Sequence, residues 1–137
     1  MDIVHASCVA VAGRALLIRG ASGSGKSGLA LDLMSRGAAL VADDRVALWR
    51  GSDLVIAGRP PSLPNLIEAR GLGLLTVELT GPAPLAAVLD LSLLEDQRLP
   101  PQRKTALLGV DLPLLHNSAS PYFAAGLMQY LKGGRRE

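Results

Sequence analysis

Ala15-Leu16-Leu17-Ile18-Arg19-Gly20-Ala21-Ser22-Gly23-Ser24-Gly25-Lys26-Ser27 is the stretch that decides the fold. Ala15 to Arg19 is a short apolar run that reads as a strand. Gly20 to Ser27 then matches G-x-x-x-x-G-K-[ST] in full. Beyond it Leu29, Ala30, Leu33 and Met34 recur at helical spacing up to Arg36, and Gly37 stands where a C-terminal cap is expected. In a strand, loop and helix of this kind the glycines let backbone N–H groups curl around a polyphosphate, and the helix N-terminus adds partial positive charge. Gly20, Ala21, Ser22, Gly23, Ser24, Gly25, Lys26 and Ser27 are therefore the expected nucleotide-binding residues. Lys26 would bridge the β- and γ-phosphates, and Ser27 would offer its hydroxyl to Mg2+. An accidental glycine turn is the plain alternative, and the flanking elements weigh against it.

Working outward, Ile3 to Ala12 reads as a strand paired with Ala15 to Arg19 across Gly13-Arg14. Ala39 to Ala42 is a further strand that runs into Asp43-Asp44, and Val46 to Trp49 with Asp53 to Ala57 suggests a hairpin. Arg59 to Pro64, with three prolines, is a loop. Leu66 to Ala69, Leu74 to Leu79, Leu85 to Leu93, Thr105 to Leu108 and Val110 to Leu115 are strand candidates, and Tyr122 to Leu131 predicts a final helix. The expected fold is strand-rich α/β, in which strands outnumber helices.

The chain has 137 residues and 14.3 kDa, the size of one domain, so residues 1–137 are read as a single unit. Hydrophobic residues at 49% and charged residues at 19% supply a core and exclude disorder as the main state. No apolar run reaches the roughly 18 residues that span a bilayer, because Asp90 interrupts even Pro82 to Leu94. No basic residue precedes the apolar start, so a secretory signal is not expected and the expected compartment is the cytoplasm. Cys8, the single cysteine, can form neither an internal disulfide nor a CxxC metal site. The charge of +2 is spread along the chain and aromatics are only 3%, which argues against a nucleic-acid surface.

Asp43-Asp44 follows Lys26 at the end of a strand expected to lie beside the loop strand, which would aim both carboxylates at the phosphates. Two adjacent carboxylates can divide metal and proton chemistry, only one facing the attacking hydroxyl; the bland reading is a solvated turn. Glu68 and Arg70 precede Gly71-Leu72-Gly73, for which a tight turn with a surface ion pair is the structural alternative. His5, among apolar residues, reads on pattern alone as a buried, satisfied histidine, and His116 as a loop histidine.

Taken in order, His5, the loop Gly20 to Ser27, Leu40-Val41-Ala42-Asp43-Asp44 and Ile67-Glu68-Ala69-Arg70-Gly71-Leu72-Gly73 resemble the catalytic domain of HPr kinase/phosphorylase. The last of these is similar to that family's L-E-x-R-G-L-G signature. The resemblance covers roughly the first 80 residues. It implies a P-loop kinase domain of the HPr kinase/PEP carboxykinase-like type, with one P-loop helix and a C-terminal helix, in a form lacking the family's N-terminal domain. It implies an ATP-dependent serine kinase acting on the phosphocarrier protein HPr. Asp43 would be the base, His5 its support, Lys26 the phosphate ligand and Arg98 the counterpart of the catalytic arginine; Ser27 and Glu68 would hold Mg2+. Leu112 to Pro121 lacks the arginines of the family's dephosphorylating segment, so weak or absent phosphorylase activity is expected. Nucleic acid and membrane are not expected partners, and a homo-oligomer is left open. A small-molecule P-loop kinase and a non-catalytic ATP sensor are the competing readings; the acidic residues argue against a passive sensor.

Overall fold

Strand pairing and double-sided burial organise the molecule, which is described over residues 1–137 by a computed structural model. The elements in chain order are β1 Asp2–Val4, β2 Ser7–Val11, β3 Arg14–Arg19, α1 Lys26–Ser35, β4 Ala39–Ala42, β5 Val46–Gly51, β6 Leu54–Gly58, β7 Leu66–Ala69, β8 Gly73–Thr76, β9 Ala83–Leu94, β10 Arg103–Leu107, β11 Val110–Asn117 and α2 Phe123–Gly133. Nine strands form one sheet along the path β1-β5-β6-β9-β3-β2-β4, with the β10–β11 hairpin attached to β9 through β11. β7 and β8 make a separate two-stranded ribbon. The strand-rich α/β expectation, with a loop helix and a C-terminal helix, is the architecture found.

β9 is the hinge of the sheet. It runs parallel to β3 from Leu85 to Asp90, pairs antiparallel with β6 at Ala83 and Pro84, and takes up β11 in parallel from Val88 onward. Because side chains alternate across a strand, β2 and β3 feed two cores. Cys8, Ala10, Ala15 and Leu17 pack toward Val46, Leu48, Val55 and Ala57 of the β5–β6 side. Val9, Val11, Leu16 and Ile18 pack toward Ala30 and Leu33 of α1 and Leu127 and Leu131 of α2. Burial on both faces explains why these strands read as unbroken apolar runs rather than alternating ones.

Two expectations are corrected. Ile3 to Ala12 is not one strand: the chain bends at His5-Ala6, so that β1 pairs with β5 while β2 enters the centre of the sheet. Nor does β4 lie beside the loop strand, since β2 intervenes and pairs antiparallel with both β3 and β4. Two antiparallel steps leave β4 parallel to β3, so the C-terminal ends of both still reach the same edge of the sheet. Asp43 and Asp44 arrive at that edge together with the first residues of β2.

The root of the loop is clamped across the sheet. Arg19, the last residue of β3, stands in register with Asp90, and its Nε donates to Asp90 Oδ2 at 3.2 Å. Burial alone would raise the Asp90 pKa, but hydrogen bonds from the Ser92 hydroxyl and backbone N–H, with the Arg19 guanidinium, outweigh it and lower the value. A carboxylate whose folded pKa is lowered contributes stability above its unfolded pKa, and that contribution is lost as pH falls through the folded pKa. The wild-type melting temperature should therefore fall on acidification below about pH 4, the ordinary aspartate range. Asp90→Asn should melt lower than wild type at neutral pH and lose less on acidification. Parallel melting curves for the two proteins from pH 7 to pH 3 would remove this role for the clamp.

Candidate active site

The loop and the helix it feeds make one wall of a cleft at the sheet edge. Gly20 has φ 154 and Gly25 has φ 100, backbone that glycine adopts most readily. At Gly20 a Cβ would come within 2.7 Å of Ser24 Oγ and 3.3 Å of Leu91 Cβ, so the turn also needs the empty volume. α1 begins at Lys26 with no side-chain cap. The N–H groups of its first turn have no partner within the helix and form, with the loop, an anion-binding end. The Lys26 side chain is nearly buried, and its ammonium donates to the carbonyls of Gly20 at 2.8 Å and Ala21 at 3.0 Å. These contacts satisfy the cation and keep it within the loop.

The opposite wall comes from three strand ends and the β7–β8 ribbon. The cleft encloses about 540 Å3 and is lined by no hydrophobic residue. Besides the loop, its lining includes His5, Ser7, Asp44, Glu68 and Arg70. The expectations for His5, the loop residues Ser22 to Ser27 and Glu68 thus converge on one space. Arg70 joins them: no ion pair ties it to Glu68, and both side chains are exposed toward the cleft. The E-x-R spacing was the signal for Arg70, since two residues apart on a strand end place both side chains on one side.

The aspartate pair is divided more sharply than simple alternation would divide it. Asp44 has φ 69, and the N–H of Arg45 donates to the Asp43 carbonyl at 2.8 Å, closing a tight turn on Asp44. Left-handed backbone is uncommon outside glycine, and aspartate is among the few residues that tolerate it. Asp43 stays inside, only 7% exposed. Its Oδ1 accepts from the Ser7 hydroxyl at 2.5 Å, and both its oxygens lie 2.9 Å from the Ser27 hydroxyl. Asp44 points outward with its side chain 70% exposed, and Oδ1 lies 3.4 Å from His5 Nδ1. The other ring nitrogen of His5 is 3.4 Å from Ser22 Oγ. His5 is thus neither buried nor apolar in its surroundings, contrary to the reading of its sequence neighbours. Asp43, expected to face an acceptor hydroxyl, accepts hydrogen bonds from two resident serines in this structure.

Arg98 is not brought to this cleft. It lines a second depression with Glu95, Leu99, His116 and Tyr122, where the chain between β9 and β10 folds against α2. The Arg135 guanidinium holds that segment through the Pro100 carbonyl. His116 is not a loop residue; it lies on β11, half-buried, 4.0 Å from Glu95, which Arg103 also pairs at 2.9 Å. Ser7 was missed altogether, because nothing in its sequence neighbourhood distinguishes it from any small strand residue.

The oxygen donors suit a hard cation. Ser27 and Glu68 both line the cleft, and no group of three or more histidine, cysteine or acidic side chains forms a dedicated cage. A serine hydroxyl and a carboxylate are oxygen donors of the kind that Mg2+ takes, so the residues present fit that ion.

A glycine-rich loop opening a helix, a nearly buried lysine inside it and carboxylates from other strand ends are gathered at one edge of a strand-rich α/β domain. Residues 1–83 match the family model described as the HPr Serine kinase C-terminal domain, and the chain belongs to that family. It is 55% identical over 75 residues to the HPr kinase/phosphorylase of Bordetella pertussis and 48% identical over 75 residues to that of Enterococcus faecalis. Each match covers 54% of this chain and 24% of the relative, so the match spans about a quarter of the relatives' length. The fold is similar to that of the Hpr(Ser) kinase/phosphatase from Coxiella burnetii, with a TM-score of 0.79 at 20% identity over 96% of this chain and 95% of that one. No helix is long and apolar enough to cross a membrane.

Removing the loop cation tests the cleft directly. Lys26→Ala should lower affinity for ATP by about 30-fold, the scale of a charge-assisted hydrogen bond of roughly 2 kcal/mol. Calorimetric titration with the nucleotide measures this, and an unaltered dissociation constant would exclude the loop as the phosphate site.

Proposed function

We propose that this chain is an ATP-dependent serine kinase domain acting on the phosphocarrier protein HPr, with Mg2+ as the companion ion. One observation carries the proposal: a cleft lined by no hydrophobic residue gathers a glycine-rich loop with its lysine, two oxygen donors for a cation and an exposed carboxylate–imidazole pair. Membership of the HPr serine kinase family and the names of the relatives supply HPr as the acceptor.

The two aspartates take different parts in this reading. Asp44, exposed in the cleft and oriented by His5, is the group that accepts the proton of the incoming serine hydroxyl. A general base must come within hydrogen-bond reach of the proton it removes, and Asp44 is the member of the pair with open space before it. The serine oxygen forms its bond to the γ-phosphorus, the bond from that phosphorus to the bridging oxygen of ADP breaks, and the proton resides on Asp44. Asp43 orients the Ser27 hydroxyl. Ser27 and Glu68 would hold Mg2+, which when bound neutralises charge on the phosphate oxygens. Lys26 contributes the cation of the loop, and Arg70 offers a guanidinium from the opposite wall toward the equatorial oxygens.

The direction of transfer follows from charge. Attack by inorganic phosphate on phosphoserine brings two anions together and needs further cations, whereas a neutral hydroxyl attacking bound nucleotide does not. Leu112 to Pro121 offers His116 and no arginine, and His116 faces Glu95 away from the cleft. We therefore assign the kinase direction as dominant.

Incubation with ATP, Mg2+ and HPr, followed by mass spectrometry of HPr, should find one phosphoryl group on a serine. Transfer to no protein serine at all would overturn the proposal. Asp44→Asn should bind ATP normally and lose about 10²-fold or more in transfer, the usual scale for a lost general base. Should Asp43→Asn show that pattern while Asp44→Asn transfers normally, the two roles are exchanged. Glu68→Gln should raise the Mg2+ concentration for half-maximal activity without lowering the melting temperature of the ligand-free protein; the reverse result would make Glu68 a structural residue.

A further inference from the structure

Ser7 begins β2, the strand interposed between the loop strand and the strand that ends in the aspartates. Its side chain is directed where three elements meet: the first turn of α1, the end of β4 and the bend that carries His5. The residue is 1% exposed, yet it contributes to the wall of the cleft. Its hydroxyl donates to Asp43 Oδ1 at 2.5 Å, and the Ser27 hydroxyl reaches the same carboxylate at 2.9 Å from both oxygens. The backbone keeps this register, since the Ala6 N–H donates to the Asp44 carbonyl at 3.3 Å and Cys8 stands opposite Ala42. The same pairing that brings His5 beside Asp44 therefore brings Ser7 beside Asp43.

Asp43 has no cationic partner: none of the ion pairs in the molecule includes it. A buried carboxylate without a cation depends on hydroxyl and N–H donors for the solvation it has lost. Of its two side-chain donors, Ser27 is the one that the proposed function commits to Mg2+, which leaves Ser7 as the donor with no other duty. Ser7 fixes the angle of the carboxylate about its own side-chain torsion. That angle in turn sets the direction in which Ser27 presents its oxygen lone pairs.

We infer that Ser7 is a positioning residue for the metal side of the site: through Asp43 it aims the Ser27 hydroxyl at the place where Mg2+ and the nucleotide phosphates meet. The inference rests on the proposed nucleotide and Mg2+ reading of the cleft and extends it to a residue that touches neither ligand. It belongs to a shell behind the ligands, where partners of coordinating groups commonly tune affinity by 10- to 100-fold.

The test measures binding of a fluorescent ATP analogue to the full chain as Mg2+ is titrated, for wild type, Ser7→Ala and Ser7→Thr. Ser7→Ala should require about tenfold more Mg2+ for half-saturation, the scale of one lost hydrogen bond to a charged group. At saturating Mg2+ its phosphoryl-transfer rate should return to within about threefold of wild type, because the proton-accepting pair Asp44–His5 is untouched. Ser7→Thr, which keeps the hydroxyl, should show the wild-type Mg2+ dependence. Wild-type Mg2+ dependence in Ser7→Ala would overturn the inference, and so would an equal shift in both variants, which would trace the effect to side-chain volume rather than to the hydroxyl. Failure of the wild-type chain itself to bind the analogue with Mg2+ would instead bring down the reading of the cleft, and the role of Ser7 with it.

Discussion

A carboxylate buried without a cation is the constraint around which the functional end of this molecule is arranged. Asp43 is accommodated only because hydroxyls arrive from two different elements, Ser7 from β2 and Ser27 from α1. Transfer of such a group from water without donors costs several kilocalories, so the three elements are held to one another wherever the carboxylate stays buried. The helix that follows the glycine loop is thereby tied to the strand that ends in the aspartates. The middle strand supplies the link.

That link is possible because the sheet places β2 between β3 and β4. Had β4 lain directly beside β3, no third strand would have carried a hydroxyl into the gap. The core supports this order. β2 and β3 are buried on both faces by small and branched apolar residues, with Ala10 and Ala15 toward the β5–β6 side and Val9 and Ile18 toward the helices. Small residues on one face let the second part of the sheet approach closely. Larger ones on the other fill the space beneath α1 and α2.

The two aspartates show how a local backbone choice produces chemical difference. Their side chains would be nearly equivalent in solution, but the left-handed conformation at Asp44 turns the chain over a single residue. One carboxylate is then enclosed by serines and the other stands in water beside an imidazole. Strain of this kind costs on the order of 1 kcal/mol and gathers at functional sites when the surrounding structure holds it. Here it is held by the hydrogen bonds of Ala6 and Arg45 on either side of the pair.

Much of this was legible in the amino-acid sequence because the relevant physics is local. A glycine loop between an apolar run and a helical repeat can curl in few ways, so the turn of the loop and the start of α1 at Lys26 follow from Gly20 to Ser27 alone. Gly37, at φ 110, ends α1 where its lack of a Cβ predicts. The order of His5, Asp43-Asp44 and Glu68-Ala69-Arg70 along the chain carries the family resemblance. Which of them face the cleft was decided by pairing between segments distant in the chain. Insertion of β2 between β3 and β4 recruited Ser7, the bend at His5-Ala6 turned an apparently apolar histidine outward, and the turn at Asp44 exchanged the accessibility of two identical side chains. Packing of residues 95–102 against α2 kept Arg98 out of the cleft. Each of these outcomes depends on strand register and on contacts between remote residues, and a hydrophobic pattern read along one dimension carries neither.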